Sequence, residues 1–187
     1  MDALLAQDLV VKEPLHNLSK MKSYIVIILI VFGSISMNAQ LSLEELLAVN
    51  NKNTVNYISV EELHEIQSKG DILILDSREV SEFNISHIPS SKNVGFNKFS
   101  KKEFANQYSD KNTPIIVYCS LGIRSERIGE KLQKMGFTNV KNLYGGIFEW
   151  KNKGFTIIDS TQTETENIHV YSKKWSQWSH KGVKVYE

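Results

Sequence analysis

Residues 114–136 read PIIVYCSLGIRSERIGEKLQKMG, a strand, a short loop and a helix in direct succession. Pro114 opens the run. Ile115 to Tyr118 are apolar and β-favouring without polar alternation, the pattern of a strand buried on both faces of a parallel sheet. From Arg124 onward, Ile128, Leu132 and Met135 stand at i, i+4 and i+7 on one helical stripe, and Gly136 stands where a helix stops. Between strand and helix lies Cys119, the only cysteine of the chain. Such a junction is an anion cradle, because backbone N–H groups converge there and the helix dipole favours negative charge. A thiol at its mouth ionises more readily than a free one. A lone cysteine ending an apolar strand also serves as a small buried hydrophobe, but the loop weighs against that reading here. Gly122 allows close backbone approach to a ligand, and Arg124 brings a fixed charge with a forked donor array suited to oxyanions.

On either side, apolar runs alternate with helical patterns. Residues 41–53 begin as a short helix through Leu43, Leu46 and Leu47 and pass into an Asn-rich linker. Tyr57 and Ile58 suggest a first strand, and Ser59 with Glu62 forms a capping box before a helix carrying Val60, Leu63 and Ile66 and ending at Gly70. Residues 72–76 (ILILD) are a second buried run, 93–96 a third strand, and Phe99, Phe104 and Tyr108 a weakly patterned helix. Residues 140–144 read as the last strand, before a helix opened by Gly145 and Gly146. This alternation predicts an α/β fold, a parallel sheet of about five strands with helices on both faces. Ligands bind such sheets beyond the carboxyl ends of the strands, where Cys119 stands.

Three ordered motifs carry a resemblance. The loop from Cys119 to Ser125 is similar to the C-x-x-G-x-R-[ST] active-site loop of the rhodanese (thiosulfate sulfurtransferase) family. Asp76, Arg78, Glu82, Phe83, His87, Ile88 and Pro89 resemble the D-x-R-x-x-x-E-[FY]-x-x-x-H-I-P signature near the start of rhodanese domains. Leu143 to Trp150 resembles the L-x-G-G-[IFM]-x-x-W ending. The resemblance covers about half the chain and implies a three-layer rhodanese-like domain over 57–158. From the residues themselves, Asp76 and Arg78 are expected to pair and shape their loop, Phe83 to pack and His87 to hydrogen-bond locally. Arg78 is expected closest to the rim of the active site.

The resemblance implies a sulfurtransferase with Cys119 as nucleophile. The thiolate takes the outer sulfur of a donor such as thiosulfate, polysulfide or a persulfide, and a thiol or cyanide then removes it. Ser120, Leu121, Gly122, Ile123, Arg124 and Ser125 are expected to bind the substrate, through loop N–H groups and the Arg124 charge. No metal or organic cofactor is required by this chemistry, and the five histidines show no metal-ligand spacing. Many thiosulfate-using relatives carry a basic residue directly after the cysteine, where this chain has Ser120, which puts the donor in question. Two other readings stand beside this one. A phosphatase or arsenate reductase loop holds five residues between cysteine and arginine, whereas here only Ser120, Leu121, Gly122 and Ile123 intervene. A non-catalytic interaction module or sulfur carrier would keep the fold without the turnover.

The chain has 187 residues and a net charge of +1, which suits one domain with appendages and supplies no bulk attraction to nucleic acid. A single cysteine excludes an intramolecular disulfide. Lys20 and Lys22 precede an apolar run from Tyr24 to Phe32, and small residues lead to a cleavage site after Ala39, the layout of a secretory signal peptide. Residues 1–39 are therefore expected to be an extension and signal peptide, with Met21 a more conventional start, and the mature protein to be exported, periplasmic in a bacterium. The alternative is an uncleaved membrane anchor. Residues 40–56 read as linker and short helix. Residues 159–187 read as a polar linker followed by an aromatic and basic tail, with a helix over 172–180 that docks its aromatics on the domain rather than binding nucleic acid.

Overall fold

The computed structural model of the protein describes residues 41–186. The expected signal peptide and cleavage site lie outside those residues. From Leu41 onward the chain forms one compact unit. Its sheet contains β1 (Asn56–Ile58), β2 (Leu73–Asp76), β3 (Lys92–Asn93), β4 (Ile115–Tyr118) and β5 (Val140–Leu143). All neighbours are parallel, as the alternating pattern predicts, and the strand order is β1-β5-β4-β2-β3.

The apolar runs of β2 and β4 lack alternation because each strand feeds two cores. Ile74, Ile116 and Tyr118 point into a cluster with Leu63, Ile147 and Trp150. Leu73, Leu75, Ile115 and Val117 point into a second cluster with Ile128, Leu132 and Phe137. One strand thus buries successive side chains on opposite faces of the sheet.

Helices cover both faces. They are α1 (Leu43–Asn50), α2 (Val60–Gln67), α3 (Val80–Ile85), α4 (Lys101–Gln107), α5 (Ile123–Lys134) and α6 (Gly146–Asn152). Ser59 caps α2 by accepting from the Glu62 N–H at 3.1 Å, whereas the Glu62 carboxylate pairs with Lys141, so the expected box is only half formed. At the end of α5, Gly136 takes φ +92°, and the Gly136 and Phe137 N–H groups return to the carbonyls of Gln133 and Leu132. That closure needs a left-handed residue, which is why a glycine stands there.

Both segments read as appendages pack onto the domain. In the first, Leu46, Leu47 and Asn51 are buried. In the second, residues 161–166 fold back as a hairpin in which β7 (Glu164–Thr165) pairs antiparallel with β6 (Ile157–Ile158). The Asp159 carboxylate closes it by accepting from the N–H groups of Thr161 and Thr163. The expected helix over 172–180 is replaced by one 3₁₀ turn, Trp175–Trp178, between β8 (Asn167–His169) and its parallel partner β9 (Val183–Val185). The segment has no apolar stripe long enough for an α-helix, and the Ser176 hydroxyl bonds the Lys173 carbonyl in competition with helical pairing.

Asp76 and Arg78 pair as expected, entirely out of solvent. Nη2 and Nε of Arg78 reach the carboxylate at 2.6 and 3.1 Å, and Nη2 also donates to the Ser86 carbonyl. Burial works against the guanidinium charge, and the Asp76 carboxylate, together with Tyr118 and Glu82, more than offsets it. Arg78 is therefore a strut beneath the loop, and its neighbour Glu79 lines the cleft instead. Asp76→Ala is expected to lower unfolding stability in urea by about 3–5 kcal/mol, because it strands a buried charge. Adding Arg78→Met should recover much of that loss.

Candidate active site

The loop after β4 leaves little freedom to Cys119. Its carbonyl accepts from the Ile147 N–H at 2.9 Å and the Ser120 carbonyl from Phe148 N–H at 3.2 Å, so the first turn of α6 clamps the loop from one side. Gly146 makes the clamp possible. It takes φ +55°, and an added Cβ would run into the Cys119 carbonyl oxygen and the Ser120 backbone. The absence of a side chain at Gly146 is thus what lets the strand-to-helix junction pack this tightly.

Gly122, at φ +115°, turns the chain into α5, and its N–H donates to the Cys119 sulfur at 3.1 Å. Its carbonyl is held by two buried amides, Asn51 at 3.0 Å and Asn142 at 2.8 Å. The Ser125 hydroxyl lies 3.5 Å from the sulfur and 2.7 Å from the Asn142 side-chain oxygen. One hydroxyl proton cannot serve both acceptors, and the shorter contact assigns it to Asn142 while Cys119 is neutral. The thiol can then donate to the serine oxygen. Cys119 itself is 2 % exposed. Burial pushes its pKa up. The positive charge of Arg124, the Ser125 hydroxyl and N–H, and the Gly122 N–H together outweigh burial and leave it below the ordinary cysteine value.

Arg124 is oriented by a partner that the sequence reading left without a role. Its Nη1 and Nη2 grip the two carboxylate oxygens of Glu82 at 2.6 and 2.7 Å, and Nη2 also donates to the Ser120 hydroxyl at 3.1 Å. Glu82 is 2 % exposed and receives the Glu79 N–H at 3.0 Å. His169 of β8 stands with Nδ1 3.7 Å from the same carboxylate. Burial alone would raise the Glu82 pKa. Hydrogen bonds from Arg124 and His169, with the Arg124 and Arg78 charges, instead hold it well below the usual carboxylate range. The expectation that Arg124 offers its fork to a substrate oxyanion is thereby modified. The fork is turned onto Glu82, and its charge reaches the sulfur through space.

The structure brings the seven residues from Cys119 to Ser125 together at one cleft wall or directly beneath it. Ser120, Leu121, Ile123 and Arg124 line a cleft of about 370 Å³ with Cys119, while Gly122 and Ser125 support the sulfur from behind. Leu121 is also a core side chain, so its contribution to a ligand would come largely through its backbone. The rest of the lining comes from Glu79, Glu82, Phe96 and Asn97, and from the C-terminal segment Val170, Tyr171 and Trp175. Asn142 could have been noticed as a polar residue inside an otherwise buried strand. Asn51 and Trp175 meet the loop only through tertiary folding, and no local signal marks them.

Comparison with known proteins accords with this geometry. A model of the family described as Rhodanese-like domain matches residues 59–153. Thiosulfate sulfurtransferase GlpE of Coxiella burnetii is 34% identical over 94 residues, which is 50% of this chain and 85% of that protein. A tRNA uridine(34) hydroxylase of Pelagibacter ubique is 36% identical over 104 residues, 54% of this chain but only 33% of that longer protein. Among solved structures, a thiosulfate sulfurtransferase from Pseudomonas aeruginosa superposes with a TM-score of 0.54 at 20% identity, covering 73% of this chain and 25% of that one, a likeness of fold. On the motifs, the sheet order and these matches together, the chain belongs to the rhodanese-like domain family.

Proposed function

We propose that this protein is a sulfurtransferase in which Cys119 takes up a sulfane sulfur as a persulfide and passes it to a thiophilic acceptor. The observation that carries the reading is the setting of the Cys119 sulfur, in the wall of a cleft, with the Gly122 N–H at 3.1 Å and the Arg124 charge beside it. The likeness to a thiosulfate sulfurtransferase supports the same chemistry.

In the first half-reaction the thiolate attacks the outer sulfur of the donor. A Cys119 sulfur–sulfur bond forms, the bond between the donor's two sulfurs breaks, and the electron pair leaves with sulfite if the donor is thiosulfate. In the second, cyanide or a thiol attacks the outer sulfur of the persulfide and the Cys119 thiolate departs. Both states of Cys119 carry negative charge, so the backbone donors and Arg124 serve each in turn. Export belongs to the proposal too, with cleavage after Ala39 delivering the domain to the periplasm.

Incubating the protein with thiosulfate should raise its intact mass by about 32 Da, one sulfur atom held by nucleophilic catalysis. Cyanide or dithiothreitol should remove it, and Cys119→Ser should never gain it. No gain from thiosulfate, polysulfide or a thiosulfonate would defeat the reading and leave a non-catalytic module. The Cys119 pKa offers a second check. Arg124→Gln removes the positive charge beside the sulfur and leaves the Glu82 carboxylate without it, and both changes disfavour the thiolate, so the pH midpoint of alkylation by iodoacetamide should rise, slowing the reaction several-fold at neutral pH. For export, the mass of the chain recovered from the periplasmic fraction should begin at Gln40, whereas a full-length chain confined to membranes would mark an uncleaved anchor.

A further inference from the structure

Resting on the sulfurtransferase reading, we propose that the donor is an organic sulfane-sulfur compound with an apolar, preferably aromatic, body and at most one negative charge, and that the C-terminal segment selects it. Three observations converge on this. The first is charge. The charged side chains lining the cleft are Glu79, Glu82 and Arg124, two carboxylates against one guanidinium, and the guanidinium is already gripped by Glu82. The Glu79 carboxylate is held at the cleft by the Asn97 N–H and side-chain amide at 3.2 and 2.9 Å. A dianion entering beside a Cys119 thiolate would meet net negative charge, and in a partly desolvated cleft that repulsion is not screened away.

The second is size and lining. A cleft of about 370 Å³ falls in the range of sites for organic ligands and is several times what the thiosulfate anion fills. Phe96, Ile123, Val170, Tyr171 and Trp175 give its lining an apolar and largely aromatic part.

The third is that the wall is built in rather than draped over. Val170, Tyr171 and Trp175 lie beyond residues 59–153 that match the family, yet the segment bearing them is firmly tied down. Ile168 and Val170 are fully buried, and the Asn152 side chain receives the His180 N–H at 2.7 Å and donates to the Trp178 carbonyl at 2.9 Å. Lys151 pairs with Glu166 at 2.7 Å, and Gly182, at φ +88°, passes so close to the Glu166 carbonyl that a Cβ would meet it at 2.9 Å. Trp175 packs against the main core cluster and lies 5.5 Å from the Trp178 ring. Trp175, already packed against the core, offers a preformed face, so a ligand that stacks on it need not order that side chain.

The sulfur-transfer step is unchanged in kind. The Cys119 thiolate attacks the terminal sulfur of a thiosulfonate, that sulfur's bond to the sulfonyl sulfur breaks, and the sulfinate leaves with the electron pair. Charge and atoms balance without any further reactant.

The test uses three donors, thiosulfate, methanethiosulfonate and benzenethiosulfonate, with kcat/KM for persulfide formation divided by the rate of each donor with a small thiol in solution. After that correction the wild-type protein should prefer benzenethiosulfonate to methanethiosulfonate by about tenfold, the worth of an aromatic contact. It should also prefer methanethiosulfonate to thiosulfate severalfold. Trp175→Ala should collapse the first ratio. Glu79→Gln, which keeps the shape and removes a charge, should narrow the second. Equal corrected rates, a preference for thiosulfate, or ratios indifferent to both substitutions would overturn the inference while leaving sulfur transfer intact. The wild-type ratios stand even if a variant fails to fold. Absence of persulfide with all three donors would instead overturn the sulfurtransferase reading and this inference with it.

Discussion

The ion pair between Glu82 and Arg124 is the interaction on which the site depends. It joins the first turn of α3 to the first turn of α5 in the lining of the cleft, and at 2.6 and 2.7 Å both carboxylate oxygens are engaged. A carboxylate that is 2 % exposed persists as an anion only because such a partner faces it. The same contact sets the charge next to Cys119 and fixes how much of it a substrate can feel. Glu82 also meets His169, so the C-terminal segment is coupled to the Cys119 loop through one buried group.

Behind the loop, a second polar network does the positioning. Asn51 and Asn142 converge on the Gly122 carbonyl, and Asn142 also takes the Ser125 hydroxyl and donates to Glu126 at 3.2 Å. Glu126 in turn receives the Thr54 N–H at 3.0 Å. The chain before β1, the last sheet strand and the active-site helix are therefore pinned at one point. A glycine in the left-handed region would otherwise be free to move, and with it the N–H that faces the sulfur. Two amides donating to one carbonyl hold the loop in one geometry.

The C-terminal segment shows how a polar tail is built into the fold. Its sequence is polar and broken by short aromatic spacings, and no regular element of any length forms. It follows the domain surface instead, with Ile168, Val170 and Trp178 as anchors and two short strands paired in parallel. Those anchors set Tyr171, which is 55% exposed, and Trp175 at the cleft, where the rest of the domain would leave it open.

Much was legible in the sequence because it was local. The continuous apolar runs before Asp76 and Cys119 implied strands covered on both faces, and the observed two-sided core is the reason such runs exist. Gly122, Gly136 and Gly146 were readable because only glycine tolerates those backbone angles and contacts. Cys119 with Arg124 was readable because four intervening residues place both at one strand-to-helix junction. Tertiary structure alone determined what those groups face. Glu82 lies 42 residues before Arg124 and Asn51 lies 71 before Gly122, so neither pairing leaves a periodic trace in the chain. The charge balance of the cleft and its aromatic wall follow from those long-range contacts, because electrostatics and packing depend on distance in space and local pattern records only distance along the chain.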